Sequence, residues 1–512
     1  MSKPKIKIAK GMRDTFGKEA ILRNNVRNKL RLIFEKYGYN PIETPIIETV
    51  ETLGYKGGGE IQKEVFRLSD QGKRDLALRF DHTVPLGRFF ATNDIKLPFK
   101  RYAMGEVFRD GPIQVEQGRY RSFTQCDVDV LGVKDMSAEV ELFALAKETF
   151  QTLGLGGVDV KINNRKLLNG VLEYSGVPQE AKIRTITALD KLDKVGLTNV
   201  VSELTNLDLY KTPLKLSNES LKEIGDAYKE NVDLPEGLAK KIFGEIGEKG
   251  LQSVYSAIVN SNDIVELTSK LDVYENTGGK AIKPESVEKL VEAIQPAETN
   301  IETYNKLKKL LGENEGLAEV KEILDYSNEL ELDFIKFEPS LARGLDYYTS
   351  TTLEVYLKDK NIINSAIMAG GRFDDMVGDF KGEGIEVPAF GASFGLERLT
   401  KTMMEQTDNL VSNTTQIYLI PIGNTKKDTF KNAQSLRGYG LNVDMTLDPN
   451  VKPKKALRYA EKSGIKYVGF VGEDEVRTNS ITIKNLETGK QENMDLGLAY
   501  VSIACDTGRF LR

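Results

Sequence analysis

The chain of 512 residues has one histidine, His82, no tryptophan and two cysteines. The histidine count excludes a good deal of chemistry. A Ser-His or Cys-His nucleophile pair, or a histidine acid/base couple, would have to use His82 itself, and a two-histidine zinc site is ruled out. Cys126 and Cys505 supply neither a disulfide framework nor a metal cluster, which fits a reducing compartment. No apolar run approaches the ~18 residues that a membrane-spanning helix needs. The opening residues, MSKPKIKIAKGMRDTFG, carry lysines but no apolar stretch behind them, which argues against a secretory signal. Positive charge is not in excess either. Lys and Arg number 71 against 76 Asp and Glu, a net charge of −5, so any nucleic-acid contact must come from a local patch. What is present is an ordinary globular composition, 40% hydrophobic and 29% charged. The length suits about three domains. Catalysis in such a chain falls to carboxylates, arginines, tyrosines or a bound metal.

Several segments declare their conformation. In EAILRNNVRNKLRLIFEKY, residues 19–37, Leu22, Val26, Leu30, Ile33 and Phe34 recur at helical spacing. GYNPIETP then breaks the helix and continues extended. Residues 99–132 predict two long antiparallel strands joined by RDGPIQVEQG, because charged and β-forming residues alternate with period two. From 164 to 330 the pattern is charged and mostly helical, which predicts an insertion. AIMAGGRFDDMV and FGASFGLERLTKTMM return to strand character, the second as a strand running into a helix. After a polar linker at 405–415, strand and helix alternate from 416 to the end, the pattern of a small α/β domain.

The strand GRYRSFTQCDVDVLG carries the richest set of side chains. Alternation puts Arg119, Arg121, Phe123, Gln125, Asp127 and Asp129 on one face. That face runs from arginines through an aromatic ring to an amide and carboxylates, with Gln125 and Asp129 roughly 13 Å apart at about 3.3 Å per residue. A ligand with a polyanionic end, a flat middle and a cationic end matches this order, and ATP beside an amino acid is such a pair. A plain solvated sheet face is the competing explanation. LARGLDYYTSTTLEVYL adds Arg343, Asp346, Tyr347 and Tyr348, and two adjacent tyrosines on a strand are expected to face opposite ways. In MAGGRFDDMVGDF two glycines precede Arg372, where backbone could approach a ligand, although taken alone a tight turn is the better explanation. FGLERL places Arg398 at the start of a helix. VKPKKALRYAEKSGIK gathers Lys452, Lys454, Lys455, Arg458, Lys462 and Lys466 against Glu461, a local basic surface that an ordinary solvated helix would also explain.

Taken together, these segments resemble the class II aminoacyl-tRNA synthetases, and among them the histidyl-tRNA synthetases, over nearly the whole chain. GYNPIETP is similar to motif 1, YAMGEVFRD…GRYRSFTQCDVDVLG to motif 2 and FGASFGLERL to motif 3, while ARGLDYYT and AGGRFDDMV resemble the two histidine signatures. The resemblance implies an α+β catalytic core with an antiparallel sheet flanked by helices, divided between 1–163 and 331–404, a helical insertion at 164–330 and an anticodon-binding domain at 416–512. It implies ATP-dependent activation of L-histidine and transfer to tRNA(His), with Mg²⁺ accompanying ATP, no protein-held metal, a homodimer, no membrane and a cytoplasmic location.

The family's roles pass onto matching positions. Arg109 would grip the α-phosphate and the substrate carboxylate, Phe123 would stack on adenine, and Arg398 would cover its other face and reach the γ-phosphate. Asp81, Thr83, Gln125 and Asp129 would surround the α-amino group, Tyr347 and Tyr348 would line the imidazole pocket, and Arg343 would stabilise charge during adenylate formation. His82 is grouped with the histidine-binding residues but fills a slot the family leaves variable, so a bystander's part is expected of it. Pro45 would lie at the dimer interface, and Lys452, Lys454, Lys455 and Arg458 would meet tRNA. Phe373 stands where the second signature usually has tyrosine, and the motif 2 loop has Asp110-Gly111 where an acid often comes one place later. A catalytically silent regulatory paralogue and a class II enzyme for another amino acid are the alternatives. The first tends to lose the arginines or the anticodon domain, and the second lacks ARGLDYYT.

Overall fold

The structure, a computed structural model, describes residues 6–55, 63–205, 211–213, 223–224, 226–227, 237–240, 242, 274–276, 282–343, 347–382, 384–406, 412–448 and 451–507. Most of the expected insertion between 206 and 281, Gly344 to Asp346 of the first signature and most of the linker lie outside them. The chain divides into two compact units, one of Met1–Val160, Tyr326–Phe334 and Glu354–Arg512, the other of Lys161–Asp325 and Ile335–Leu353.

In the first unit, helix α1 spans Gly17–Lys36 and buries Leu22, Val26, Leu30, Ile33 and Phe34, the stripe that its 3.6-residue spacing predicts. Five strands of the principal sheet lie wholly in this unit: β1 (Asn40–Pro41), β2 (Phe99–Phe108), β3 (Ser122–Leu131), β4 (Met368–Arg372) and β5 (Ala389–Gly395), in the order β1-β2-β3-β5-β4. β1 runs parallel to β2, and the remaining pairs are antiparallel. Helix α2 (Thr83–Thr92) precedes β2, α3 (Ser137–Thr152) follows β3, the short α4 (Asp374–Asp379) follows β4, and α5 (Leu396–Gln406) continues directly from β5.

One face of this sheet is a hydrophobic core. Phe34 of α1 stacks against Tyr102 of β2 and Phe394 of β5 with ring centroids 5.7 Å apart in each case, and Phe150 of α3 lies 5.9 Å from Phe394. Burying each such ring contributes about 1.5–3 kcal/mol. The same face explains Arg372. Far from lining a ligand site, it is fully buried and bonds Glu139 of α3 in bidentate fashion, Nε to Oε1 at 2.7 Å and Nη2 to Oε2 at 2.6 Å. It also donates to the carbonyls of Val133 and Asp135. Strand alternation turns this side chain to the core, where a buried charge needs a partner, so the arginine serves packing while the backbone of Gly371 lies in the opposite row beside Gly391.

The C-terminal part holds a separate five-stranded sheet of β6 (Ile417–Pro421), β7 (Val443–Met445), β8 (Tyr467–Val471), β9 (Ser480–Asn485) and β10 (Gln491–Asp495), ordered β7-β6-β8-β9-β10. The first three are parallel, as strands joined by helical crossovers must be, and the last two are antiparallel. Helix α6 (Lys426–Gly438) packs on one face through Ala433 and Leu436, and α7 (Pro453–Lys462) packs on the other through Ala456 and Ala460. Helix α8 (Leu496–Thr507) closes the first face with Ala499 and Ile503.

The described part of the second unit is mainly helical, with Arg165–Tyr174, Lys182–Leu189, Leu197–Thr205, Pro284–Ile294, Asn300–Leu311 and Glu315–Glu329; it also holds the strand Ile335–Phe337, most of Val158–Asn164, and an antiparallel pair of short strands, Lys211–Pro213 with Tyr274–Asn276.

Candidate active site

The face of the sheet opposite the aromatic core is built from very small residues and a few charged ones. Register aligns Arg101, Ala103 and Gly105 of β2 with Asp129, Asp127 and Gln125 of β3, and these with Gly391, Ser393 and Gly395 of β5. On β4, Gly371 and Ala369 continue the rows beside Gly391 and Ser393. The result is a trough floored by acids. Its glycines leave room for the charged side chains as they are placed. A Cβ on Gly391 would stand 2.0 Å from Asp129 Oδ1, and one on Gly105 would stand 2.4 Å from an Arg79 nitrogen.

At the acidic end, Asp127 and Asp129 are buried. Arg101, itself buried, places Nη2 2.8 Å from Asp129 Oδ2 and also donates to the carbonyl of His82 at 3.2 Å. Burial pushes Asp127 up to about 6 and Asp129 up to about 7, and Arg101 opposes the shift in both. Gln125 Oε1 and Asp127 Oδ1 are buried acceptors with no hydrogen-bond donor. Such atoms are costly unless a donor reaches them, so this end suits a ligand bearing N–H groups.

Asp81 sits at the start of α2, where its Oδ1 accepts the N–H groups of Thr83 and Val84 at 3.0 and 3.1 Å. It therefore caps the helix that Thr83 opens. Burial raises its pKa, and the N–H of Val84 and then the charge of Arg109 oppose that rise. His82 is buried, with Nε2 3.3 Å from the carbonyl oxygen of Gly105. Burial and the charges of Arg101 and Arg79 hold it down to about 3, so the ring is neutral in ordinary conditions. Arg79 donates to the carbonyls of Glu106 and Thr44, tying the motif 1 segment to β2.

The opposite end is cationic. The guanidinium carbon of Arg109 lies 4.0 Å from the ring centre of Phe80 and 5.3 Å from that of Phe123, a cation–π arrangement that fixes its plane. Arg398 is brought alongside by Glu397. That carboxylate accepts from Arg23 of α1 at 2.6 Å and from the backbone N–H of Thr124 at 2.9 Å on the core side, which leaves the next residue for the trough. Burial, then the charges of Arg119 and Arg109, lower the pKa of Arg398. Arg398 is thus close enough to Arg119 and to Arg109 to feel the charge of each. Arg121 pairs with Asp110 at 2.9 Å, and Arg119 has Nη2 4.0 Å from Glu64 Oε1, so each of the two motif 2 arginines lies near a carboxylate of its own.

The second unit carries Arg343, Tyr347 and Tyr348. Asn163 donates to the carbonyls of Pro339 and Leu341 at 2.9 and 2.8 Å, and Arg165 donates to the carbonyl of Arg343 at 3.2 Å. These bonds fix the approach to the first signature. Tyr347 and Tyr348 precede the strand Thr351–Leu357 and do not belong to it. Their rings meet edge to face with centroids 4.9 Å apart, so they form one aromatic unit and do not diverge as strand neighbours would. Phe373 is buried at the entry to α4.

Among the described residues no three His, Cys, Asp or Glu side chains gather into a metal cage. Pro45 is exposed next to Ile46 and Ile47, themselves 45% and 49% exposed. Lys452, Lys454, Lys455 and Arg458 are all exposed on and just before α7. Lys466 leaves the basic group, because Glu487 and Asp506 hold it at 2.9 and 2.8 Å.

The histidyl-tRNA synthetase family pattern matches residues 11–242 and 212–399, and an anticodon binding domain pattern matches 416–500. The chain is also 35% identical over 487 residues to histidine–tRNA ligase 1 of Bacillus cereus, covering 94% of this chain and 96% of that protein. The chain belongs to the histidyl-tRNA synthetase family. Solved structures agree on the fold. The histidyl-tRNA synthetase of Nostoc sp. PCC 7120 superposes with a TM-score of 0.73 at 24% identity, over 98% of this chain and 100% of that one. A Bacillus halodurans C protein described as an ATP phosphoribosyltransferase regulatory subunit/histidyl-tRNA synthetase gives 0.61 at 18% identity, over 92% and 99%. The residues matched by the family pattern include all the motif-bearing segments. Alternation alone could not have found Arg101, since its partners, the side chain of Asp129 and the carbonyl of His82, are distant in sequence.

Proposed function

We propose that this trough is the adenylation site of a histidine–tRNA ligase. The enzyme activates L-histidine with ATP, releasing pyrophosphate, and passes the histidyl group to the 3′ end of tRNA(His). One observation carries the assignment of roles: a cationic cluster of Arg109, Arg119 and Arg398 and a buried acidic end with unpartnered acceptors occupy the same face of one sheet. ATP suits the first and the ammonium of an amino acid suits the second.

In the first step a carboxylate oxygen of histidine attacks the α-phosphorus, the bond to the bridging oxygen breaks, and pyrophosphate leaves with its electron pair. Two anions must approach, and negative charge spreads over the phosphoryl oxygens. Preorganised guanidiniums offset that charge. We assign Arg109 to the α-phosphate and the substrate carboxylate, Phe123 and Arg398 to the two faces of adenine, and Arg343 to the developing charge. Mg²⁺ enters as part of Mg·ATP, held chiefly by phosphate oxygens. The nucleophile is already ionised, so no histidine base is needed, and His82, with its depressed pKa, would be a poor one. Asp81, Thr83, Gln125 and Asp129 are assigned to the ammonium and Tyr347 and Tyr348 to the imidazole. A pocket whose polar groups bond ring nitrogens rejects amino acids that lack them.

We further infer a homodimer through the exposed Pro45-Ile46-Ile47 edge, tRNA contact through Lys452, Lys454, Lys455 and Arg458, and a cytoplasmic setting, which the two free cysteines support. Pyrophosphate exchange with each of the twenty amino acids tests the central reading. Exchange with histidine is expected, and silence with histidine while another amino acid exchanges overturns it.

A further inference from the structure

We propose that Gln117 is a positioning residue that fastens the motif 2 loop to the segment aiming Arg398, and so sets the fit of ATP without touching the amino acid. The inference rests on reading this trough as the ATP site. The loop leaves the sheet after Phe108 and re-enters it at Ser122. Its tip is closed by reciprocal backbone bonds between Gln114 and Arg119, at 2.9 and 3.0 Å, around a single 3₁₀ turn, Val115–Gln117. Gly118 follows at φ 65°, a left-handed conformation that glycine adopts freely.

This turn projects Gln117 at a second segment. Its Oε1 accepts from the backbone N–H of Asn364 at 3.1 Å and from the hydroxyl of Ser365 at 3.3 Å. The next carbonyl, Ala366, accepts from Nη1 of Arg398, and the one after it, Ile367, accepts from the N–H of Gly395 at 3.0 Å. Gly118 closes the circuit from the other side, where a Cβ would stand 3.3 Å from Arg398 Cγ and 3.6 Å from its Cα. Arg398 is thus held by residue 366 and bounded by residue 118, and Gln117 joins the two.

The clasp has a physical purpose. Arg119 and Arg109 carry charges like that of Arg398 and repel it until a polyanion arrives. Preorganisation requires that something hold them together beforehand. The residue type fits the task. The clasp needs an acceptor for two donors, which lysine cannot supply, and a neutral one, because a carboxylate would neutralise the cations that are to meet phosphate.

Full-length protein assayed by pyrophosphate exchange, varying ATP at saturating histidine and then the reverse, provides the test. Two hydrogen bonds worth about 1–1.4 kcal/mol together predict that Gln117→Ala raises KM for ATP about five- to tenfold while KM for histidine stays within about twofold. Ser365→Ala, which removes one donor, should raise KM for ATP about two- to threefold. Glu116→Ala, in the same turn, should change neither. An unchanged KM for ATP in Gln117→Ala overturns the proposal, and so does an equal rise in both KM values, which would mean that the whole cleft had loosened. Should Gln117→Ala fail to fold, Ser365→Ala decides alone, and a wild-type KM for ATP in it overturns the proposal. Wild-type exchange with histidine reports separately on the reading of the trough.

Discussion

Arg101 and Asp129 face each other across neighbouring strands, Nη2 to Oδ2 at 2.8 Å, with both side chains almost wholly excluded from solvent. Removing one member of such a pair leaves an uncompensated buried charge. Arg101→Leu is therefore expected to lose about 3–5 kcal/mol of stability at pH 8, read from urea unfolding. The loss should shrink toward pH 5, where the orphaned carboxylates can take up protons. A variant as stable as wild type at pH 8 would show that the pair does not hold the fold in this way.

Asp127 is matched less directly. Burial raises it from 3.8 to about 6, so its contribution to stability is complete below about pH 4 and is lost as pH rises through about 6. Asp127→Asn removes that loss. The variant should be more stable than wild type at pH 8 and indistinguishable near pH 4, while its KM for histidine rises. Urea midpoints at the two pH values check the first part and exchange kinetics the second. Greater stability of wild type at pH 8 would contradict the burial argument.

His82 titrates in the opposite sense. Its pKa falls from 6.5 to about 3, so the neutral ring supports the fold above about 6.5 and that support is lost as pH falls toward 3. His82→Leu should resist acid better below pH 6.5 and keep kcat within about threefold at pH 7.5. Loss of a general base would cost about 10²–10⁴ in rate, and a fall of that size in kcat would give His82 a chemical role.

The basic surface of α7 predicts a salt effect. Alanine at Lys454, Lys455 and Arg458 together should flatten the plot of log affinity for tRNA against log salt. The slope should fall by about 0.7–0.9 for each phosphate that the variant no longer neutralises, with pyrophosphate exchange unaltered. An unchanged slope would move the tRNA-binding surface elsewhere.

Local pattern revealed what depends on local period. The stripe of α1, the two motif 2 strands and the sidedness of Phe123, Gln125, Asp127 and Asp129 all follow from spacing of 3.6 or 2. It was silent where a side chain answers to a distant partner. Arg372 meets Glu139 across 233 positions and Arg23 meets Glu397 across 374, and no window of sequence spans either. Tyr347 and Tyr348 misled for a related reason: β-rich composition after them suggested a strand that begins only at Thr351. Asp110 claims Arg121 and Glu64 lies 4.0 Å from Arg119, neighbours set by loop geometry that alternation does not reveal.

The place of Arg372 changes what its signature can testify to. In Gly-Gly-Arg the arginine secures α3 to the sheet, and a Cβ on Gly370 would stand 2.2 Å from the carbonyl oxygen of Gly391, so that glycine serves strand packing as well. A descendant that had given up ligation could keep the triplet merely to stay folded. Under the proposed reading, Gln125, whose buried Oε1 meets no donor, is the more informative position for diagnosing activity in divergent members.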